Sequence, residues 1–147
     1  MKNANKIIEF QTKSESDFID ITENIEEFIK ESLIKDGLVN IQSPHTTCAI
    51  IVNENEPLLI EDFKKHLEKV ASRSSDYKHN DFSVRTVNMC SDECANGHAH
   101  CRALHLPVSA TLNLINNKLQ LGQWQRVFLV ELDRPRKRKV QIEILGE

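Results

Sequence analysis

The segment Asn88-Met89-Cys90-Ser91-Asp92-Glu93-Cys94-Ala95-Asn96-Gly97-His98-Ala99-His100-Cys101 gathers three of the chain's four cysteines and two of its six histidines. Thiolate sulfur and imidazole nitrogen each offer a lone pair to a transition metal once deprotonated, so a run dense in both points to metal chemistry. Two arrangements fit the spacing. On a strand, His98 and His100 would point to one face with Cα atoms about 6.5–7 Å apart, letting two imidazoles converge on one ion. Alternatively, Cys90, Cys94, Cys101 and His98 would form a structural zinc site, although C-x3-C-x6-C departs from paired C-x2-C knuckles. Buried, inert thiols are the plainer reading of the cysteines.

His45 follows Pro44 and opens the β-like run Thr46–Val52, a position at the rim of a sheet. Glu54 closes the same run and is a candidate general base or carboxylate ligand. Nine residues of straight strand would hold His45 and Glu54 about 25–30 Å apart. A shared site therefore needs a bent strand or two subunits. The chain has only four glycines, and neither a phosphate-cradling glycine loop nor a serine-nucleophile elbow is present.

The elements that would position these residues are short. Residues 5–12 and 17–21 carry β-like runs. Thr22 reads as an N-cap with Glu23 and Glu26 in the first turn, and Ile25, Phe28, Ile29 and Leu33 recur at helical spacing up to Gly37. Residues 38–43 and 46–52 read as strands. Pro57 opens a second helix whose Leu59, Ile60, Phe63, Leu67 and Val70 share one face, with Asp62 and His66 beside it. Residues 72–81 form a polar loop. Strands are expected at 98–106 and 108–115, with Asn116-Asn117 as a tight hairpin, and again at 124–132 and 140–145. Trp124 reads as a core tryptophan. The sum is an α+β fold: an antiparallel β-sandwich-like core with two main helices packed on it.

At 147 residues, with 39% hydrophobic and 28% charged residues, residues 1–147 are expected to form a single domain with its own core. A net charge of −3 argues against a nucleic-acid binder, despite the basic run Arg134, Arg136, Lys137, Arg138 and Lys139. That run is either a solvated strand edge or an anion site. No apolar segment reaches bilayer length and Met1–Lys6 carries no leader-like stretch, so the expectation is a cytoplasmic protein with no membrane partner. The cysteines would then be thiols or ligands rather than disulfides.

Taken in order, His45-Thr46-Thr47-Cys48-Ala49, Asn53-Glu54-Asn55, Asp62, Tyr77-Lys78-His79, Asn96-Gly97-His98-Ala99-His100 and Leu121-Gly122-Gln123-Trp124-Gln125 resemble the YjbQ-like family. Its members are often named secondary thiamine-phosphate synthase enzymes. The resemblance runs from about residue 38 to Glu147. It implies a homotrimer, in which His45 and a neighbour's Glu54 face one cleft. It also implies a metal-centred site for a small-molecule substrate, with His45, His79 and His100 at the family's histidine positions and Asp62 at its aspartate. With His98 alongside, these histidines would hold a divalent ion, Zn²⁺ or Mg²⁺; Glu54 and Asp62 would act in catalysis, and Arg138 would bind phosphate. The activity so implied joins a pyrimidine diphosphate to a thiazole phosphate and releases pyrophosphate. A metal-dependent hydrolase of a phosphate-bearing metabolite and a non-catalytic metal-binding protein are the alternatives. An insertion between His79 and His100 contributes Cys90 and Cys94, so the dense segment is two features laid end to end.

Overall fold

The computed structural model describes residues 1–147. In chain order the elements are β1 (Lys2–Gln11), β2 (Asp17–Asp20), α1 (Thr22–Ser32), β3 (Gly37–Gln42), β4 (Cys48–Glu54), α2 (Pro57–Val70), a 3-10 turn (Lys78–Asn80), α3 (Gly97–Ala103), β5 (Ser109–Ile115), β6 (Lys118–Leu119), β7 (Gln125–Glu131) and β8 (Lys137–Gly146). Two antiparallel sheets result, one in the order β1-β8-β3-β5-β6 and one in the order β2-β7-β4. This is the α+β architecture that the sequence pattern implies.

The layers follow from where the apolar side chains point. On β8, Arg138, Val140, Ile142 and Ile144 are buried and alternate with more open residues, as a sheet with one covered face requires. On β7 every residue from Val127 to Glu131 is buried, because that strand is covered on both sides. Val127 and Leu129 join the main core with Val39, Ile41, Ile50 and the α1 residues Ile25, Phe28 and Ile29. Phe128 and Val130 join a smaller core with Ala49, Leu67 of α2 and Ala99 of α3. The order is therefore five-stranded sheet, three-stranded sheet, then α2 and α3.

Local chemistry explains most boundaries. Pro57 is the first residue of α2, and the Glu56 carboxylate accepts hydrogen bonds from the Leu58 and Leu59 amides at 2.9 and 2.8 Å. Asn116 and Asn117 both adopt positive φ (51° and 62°), the backbone a two-residue hairpin requires. α1 begins differently from the capping expected of Thr22. Thr22 is already helical and its Oγ1 accepts from Val127 N at 2.8 Å, while Asp20 Oδ1 accepts from Thr22 N at 3.0 Å. The helix stops at Leu33, which takes the left-handed conformation, rather than at Gly37.

The largest departure lies at residues 98–106, where a helix stands in place of a strand. Gly97-His98-Ala99-His100-Cys101-Arg102-Ala103 contains no β-branched residue, so nothing in its side chains favours a pleated surface. The consequence for chemistry is direct. Two residues along a helix are rotated by about 200°, so His98 and His100 face opposite ways. Trp124 also departs from expectation: it precedes β7 on an exposed turn, 65% accessible, and not in the core.

Candidate functional site

The residues that meet are brought together by four connections: the loop between β3 and β4, the 3-10 turn, the long segment leading into α3, and the start of β8. They line a cleft of about 480 Å³ that includes His45, His79, His100, Arg85, Arg136, Arg138, Thr47, Asn88, Cys90, Glu93 and Asn96. Gly97 is what allows His79 to reach His100. A Cβ at that position would run into the Tyr77 side chain, and the Gly97 amide donates to Asn80 Oδ1 at 2.9 Å. With the 3-10 turn seated this closely on α3, the rings of His79 and His100 stand edge to face, centroids 4.7 Å apart.

A buried charge network forms the floor. Arg138, 3% exposed, grips Glu131, 0% exposed, through Nε (2.7 Å) and Nη2 (2.6 Å), and Nη2 also donates to Thr47 Oγ1 at 2.8 Å. Glu131 accepts further hydrogen bonds from Thr12 Oγ1 and the Asp133 amide. Beside it, Asp133 holds Arg136 Nη2 at 2.6 Å and Asn96 Nδ2 at 3.0 Å. These bonds fix the arginines without using all their donors. The hydrogen bonds of Arg138 employ Nε and Nη2, and Nη1 makes none.

Three buried polar atoms of cleft-lining residues have no hydrogen-bond partner within the chain: His79 Nε2, Asn96 Oδ1 and Arg136 Nε. Leaving such an atom buried and unsatisfied costs about 1–3 kcal/mol, and all three belong to residues that line this cleft. Burial, then the Arg138 charge, pushes the His45 imidazole below its ordinary pKa of 6.5. Burial, then His79, does the same for His100. Both are consequently neutral at pH 7, with a lone pair to give to a proton or a cation. His45 Nε2 spends its lone pair on the Lys139 amide at 2.9 Å, so in the neutral ring Nδ1 is an N–H donor. Arg138 is pulled in opposite directions: burial lowers its pKa, but the hydrogen bonds it donates to Glu131 and the negative charges around it together outweigh burial, and the pKa is raised.

Of the residues singled out by sequence, His45, His79, His100 and Arg138 share this cleft, and the other three do not. His98 lies on the opposite face of α3, 3% exposed, with Nε2 3.3 Å from Glu15 Oε1. Glu54 is at the far end of β4, in a separate groove with Gly122, Gln123 and Trp124. Asp62 stands on the open side of α2, 70% exposed and 3.8 Å from Lys65 Nζ. The cysteines do not assemble either. Cys90 is exposed, Cys94 pairs with Arg134 and lies 4.0 Å from Asp133, and Cys101 is half-buried. No three His, Cys, Asp or Glu side chains stand close enough to hold an ion by themselves.

Arg136 comes from the basic run read as a candidate anion site and Asn96 from the Asn96–His100 segment, whereas Arg85 and Glu131 are not among the residues singled out by sequence. Glu131 did leave a signal, since a carboxylate inside the apolar run Val127-Phe128-Leu129-Val130-Glu131-Leu132 must find a cation. Arg85 arrives with the insertion, where its guanidinium lies 3.2 Å from Glu93 and 3.4 Å from the His79 carbonyl oxygen.

Two antiparallel sheets covered by helices, with imidazoles and guanidiniums lining one cleft, define a small α+β protein of a recognisable architecture. The chain belongs to the UPF0047, YjbQ-like family, whose profile matches residues 6–147. It is 34% identical over 137 residues to a UPF0047 protein of Methanothermobacter thermautotrophicus, covering 93% of this chain and 88% of that one. It is 30% identical to the UPF0047 protein YugU of Bacillus subtilis, covering 96% and 98%. Among solved structures, a YbjQ-like protein of unknown function from Sulfolobus solfataricus superimposes with a TM-score of 0.89 at 35% identity, covering 99% of both chains. A yjbq/upf0047 family protein from Clostridium acetobutylicum gives 0.83 at 34% identity, covering 95% and 99%.

Proposed function

We propose that the cleft is the active site of an enzyme acting on phosphate-bearing small molecules with a divalent cation. The specific reaction is of the thiamine-phosphate-synthase type that the family resemblance implies. One observation carries the reading: Arg138 and Arg136 line the same cleft with N–H groups, Arg138 Nη1 and Arg136 Nε, that have no partner within the chain. In this reaction a pyrimidine diphosphate and a thiazole phosphate become joined and pyrophosphate departs, so the main demand is to position two anions and stabilise the leaving charge. Arg138 and Arg136 answer that demand with donors already fixed by Glu131 and Asp133.

The donor chemistry fits a cation in part. His79 and His100 supply two adjacent imidazoles, while His45 on the same cleft would give its lone pair to a cation only by releasing the Lys139 amide. Since three ligands are not gathered within one chain, substrate oxygens, water or a second copy would complete the set. A cation held there would neutralise charge on the departing pyrophosphate. Glu54 and Asp62, remote from the histidines of their own chain, would serve from a neighbouring copy in the homotrimer that the resemblance implies.

The test is turnover by the purified protein with the two substrates and Mg²⁺ or Zn²⁺, beside a His100→Ala control and elemental analysis of both. Product and bound metal well above the control are expected; equal rates would refute the assignment. A neutral His100 beside guanidinium N–H donors also suits activation of water against a phosphoester. If only simple phosphoesters are turned over, and chelator stops the reaction, that hydrolytic reading replaces the first.

A further inference from the structure

We propose that the ligand of this cleft is amphiphilic: its phosphate-type anion sits among the arginines while an apolar or aromatic group packs into a second recess alongside. This rests on the reading of the cleft as an anion site and names the class of molecule it accepts. The recess, about 400 Å³, is walled by Cys48, Cys101, Ala103, Leu104, Leu106 and Val108. It shares His45, Thr46 and His100 with the arginine-lined cleft. The two therefore adjoin, one polar and the other apolar, with the two imidazoles at the divide.

The apolar side is built rather than incidental. Its wall, the connection from α3 to β5, is fastened to the sheets by hydrogen bonds from Ile50 N to the Pro107 carbonyl and from Ser43 N to the Val108 carbonyl, both 2.9 Å. The recess is thus preformed, which lowers the entropic cost of binding. Cys48 is 3% exposed, and burial pushes its thiol up to about 12, so it contributes as a small hydrophobic surface and not as a nucleophile. Leu104 and Val108, by contrast, are 83% and 50% exposed. Apolar side chains left open beside a charged cleft gain most when the same ligand covers both. Inorganic phosphate alone would engage only the polar side.

The test is calorimetric titration of the full chain with inorganic phosphate and, separately, with phenyl phosphate. Phenyl phosphate is expected to bind at least about tenfold more tightly, the gain coming from the ring in the recess. The readout is the ratio of the two affinities. In a Leu104→Gln/Val108→Thr double variant, made at open positions and checked by thermal melting, that ratio should fall close to one. Equal affinities in the unaltered protein, or a ratio that survives the double substitution, would overturn the recess while leaving the anion cleft standing. If neither ligand binds, the reading of the cleft fails and this proposal with it.

Discussion

Arg138 and Glu131 decide whether the cleft exists, because each is buried and neither has another full partner. Surface ion pairs contribute little, since water screens them and two long side chains must be ordered. A buried pair behaves differently: removing one member leaves an uncompensated charge at a cost of about 3–5 kcal/mol. Arg138→Met should therefore destabilise the protein by roughly that amount in urea unfolding, and an effect below about 1 kcal/mol would show that the pair is not a unit. Arg138→Lys keeps the charge, but a single ammonium cannot span both Glu131 oxygens and Thr47 at once. It should fall between the two, and adding Glu131→Gln to Arg138→Met should recover part of the loss. By comparison, Arg126 and Asp20 form a 2.7 Å pair that is only part-buried, so breaking it should cost less.

At the scale of elements, α3 carries the site and is the element least able to form alone. Seven residues make too short a helix to persist without tertiary contacts. Arg102, 1% exposed, supplies them: Nε donates to the Ala71 carbonyl at 3.0 Å, Nη1 to Glu15 at 2.7 Å and Nη2 to Glu68. His98 leans on the same Glu15. One face of α3 is thereby clamped to α2 and the β1–β2 loop, which turns His100 toward the cleft. Arg102→Met should raise amide hydrogen exchange across residues 97–103 by at least about tenfold and weaken phosphate binding in the cleft. Unchanged exchange would mean that packing by Ala99 alone holds the helix. These contacts also explain what the sequence could reveal. α1 and α2 were legible because their apolar residues recur over three or more turns, and β5–β6 because two asparagines suit the hairpin. α3 was not, since its partners lie 31 to 87 residues away in the chain. The histidines of the site were legible from residue type and order. Arg85 and Glu131 were not, because their place beside the site is set by partners found only on folding, Glu93 for the one and Arg138 for the other.

At the scale of the whole molecule, the candidate residues are divided between two places. His45, His79, His100 and Arg138 share one cleft, whereas Glu54 lies at the other end of β4 beside the exposed Trp124. No helix is long and apolar enough to cross a membrane. A carboxylate and a largely open tryptophan in one groove have the composition of a contact region, aromatic and partly charged. In a closed ring of three copies with head-to-tail contacts, each Glu54 groove would meet the next copy's cleft. The arrangement makes a quantitative demand on mixed assemblies. Glu54→Gln and His100→Ala homo-oligomers should each be inactive, one lacking the carboxylate at every interface and the other the imidazole. Co-expressed in equal amounts under different tags and purified through both, they should recover activity, because some interfaces pair an intact cleft with an intact Glu54. Random assembly of such a ring before selection places both intact groups at roughly a quarter of the interfaces. Mixed oligomers as inactive as their parents, with wild-type protein active in the same assay, would show that Glu54 takes no part in a neighbour's site.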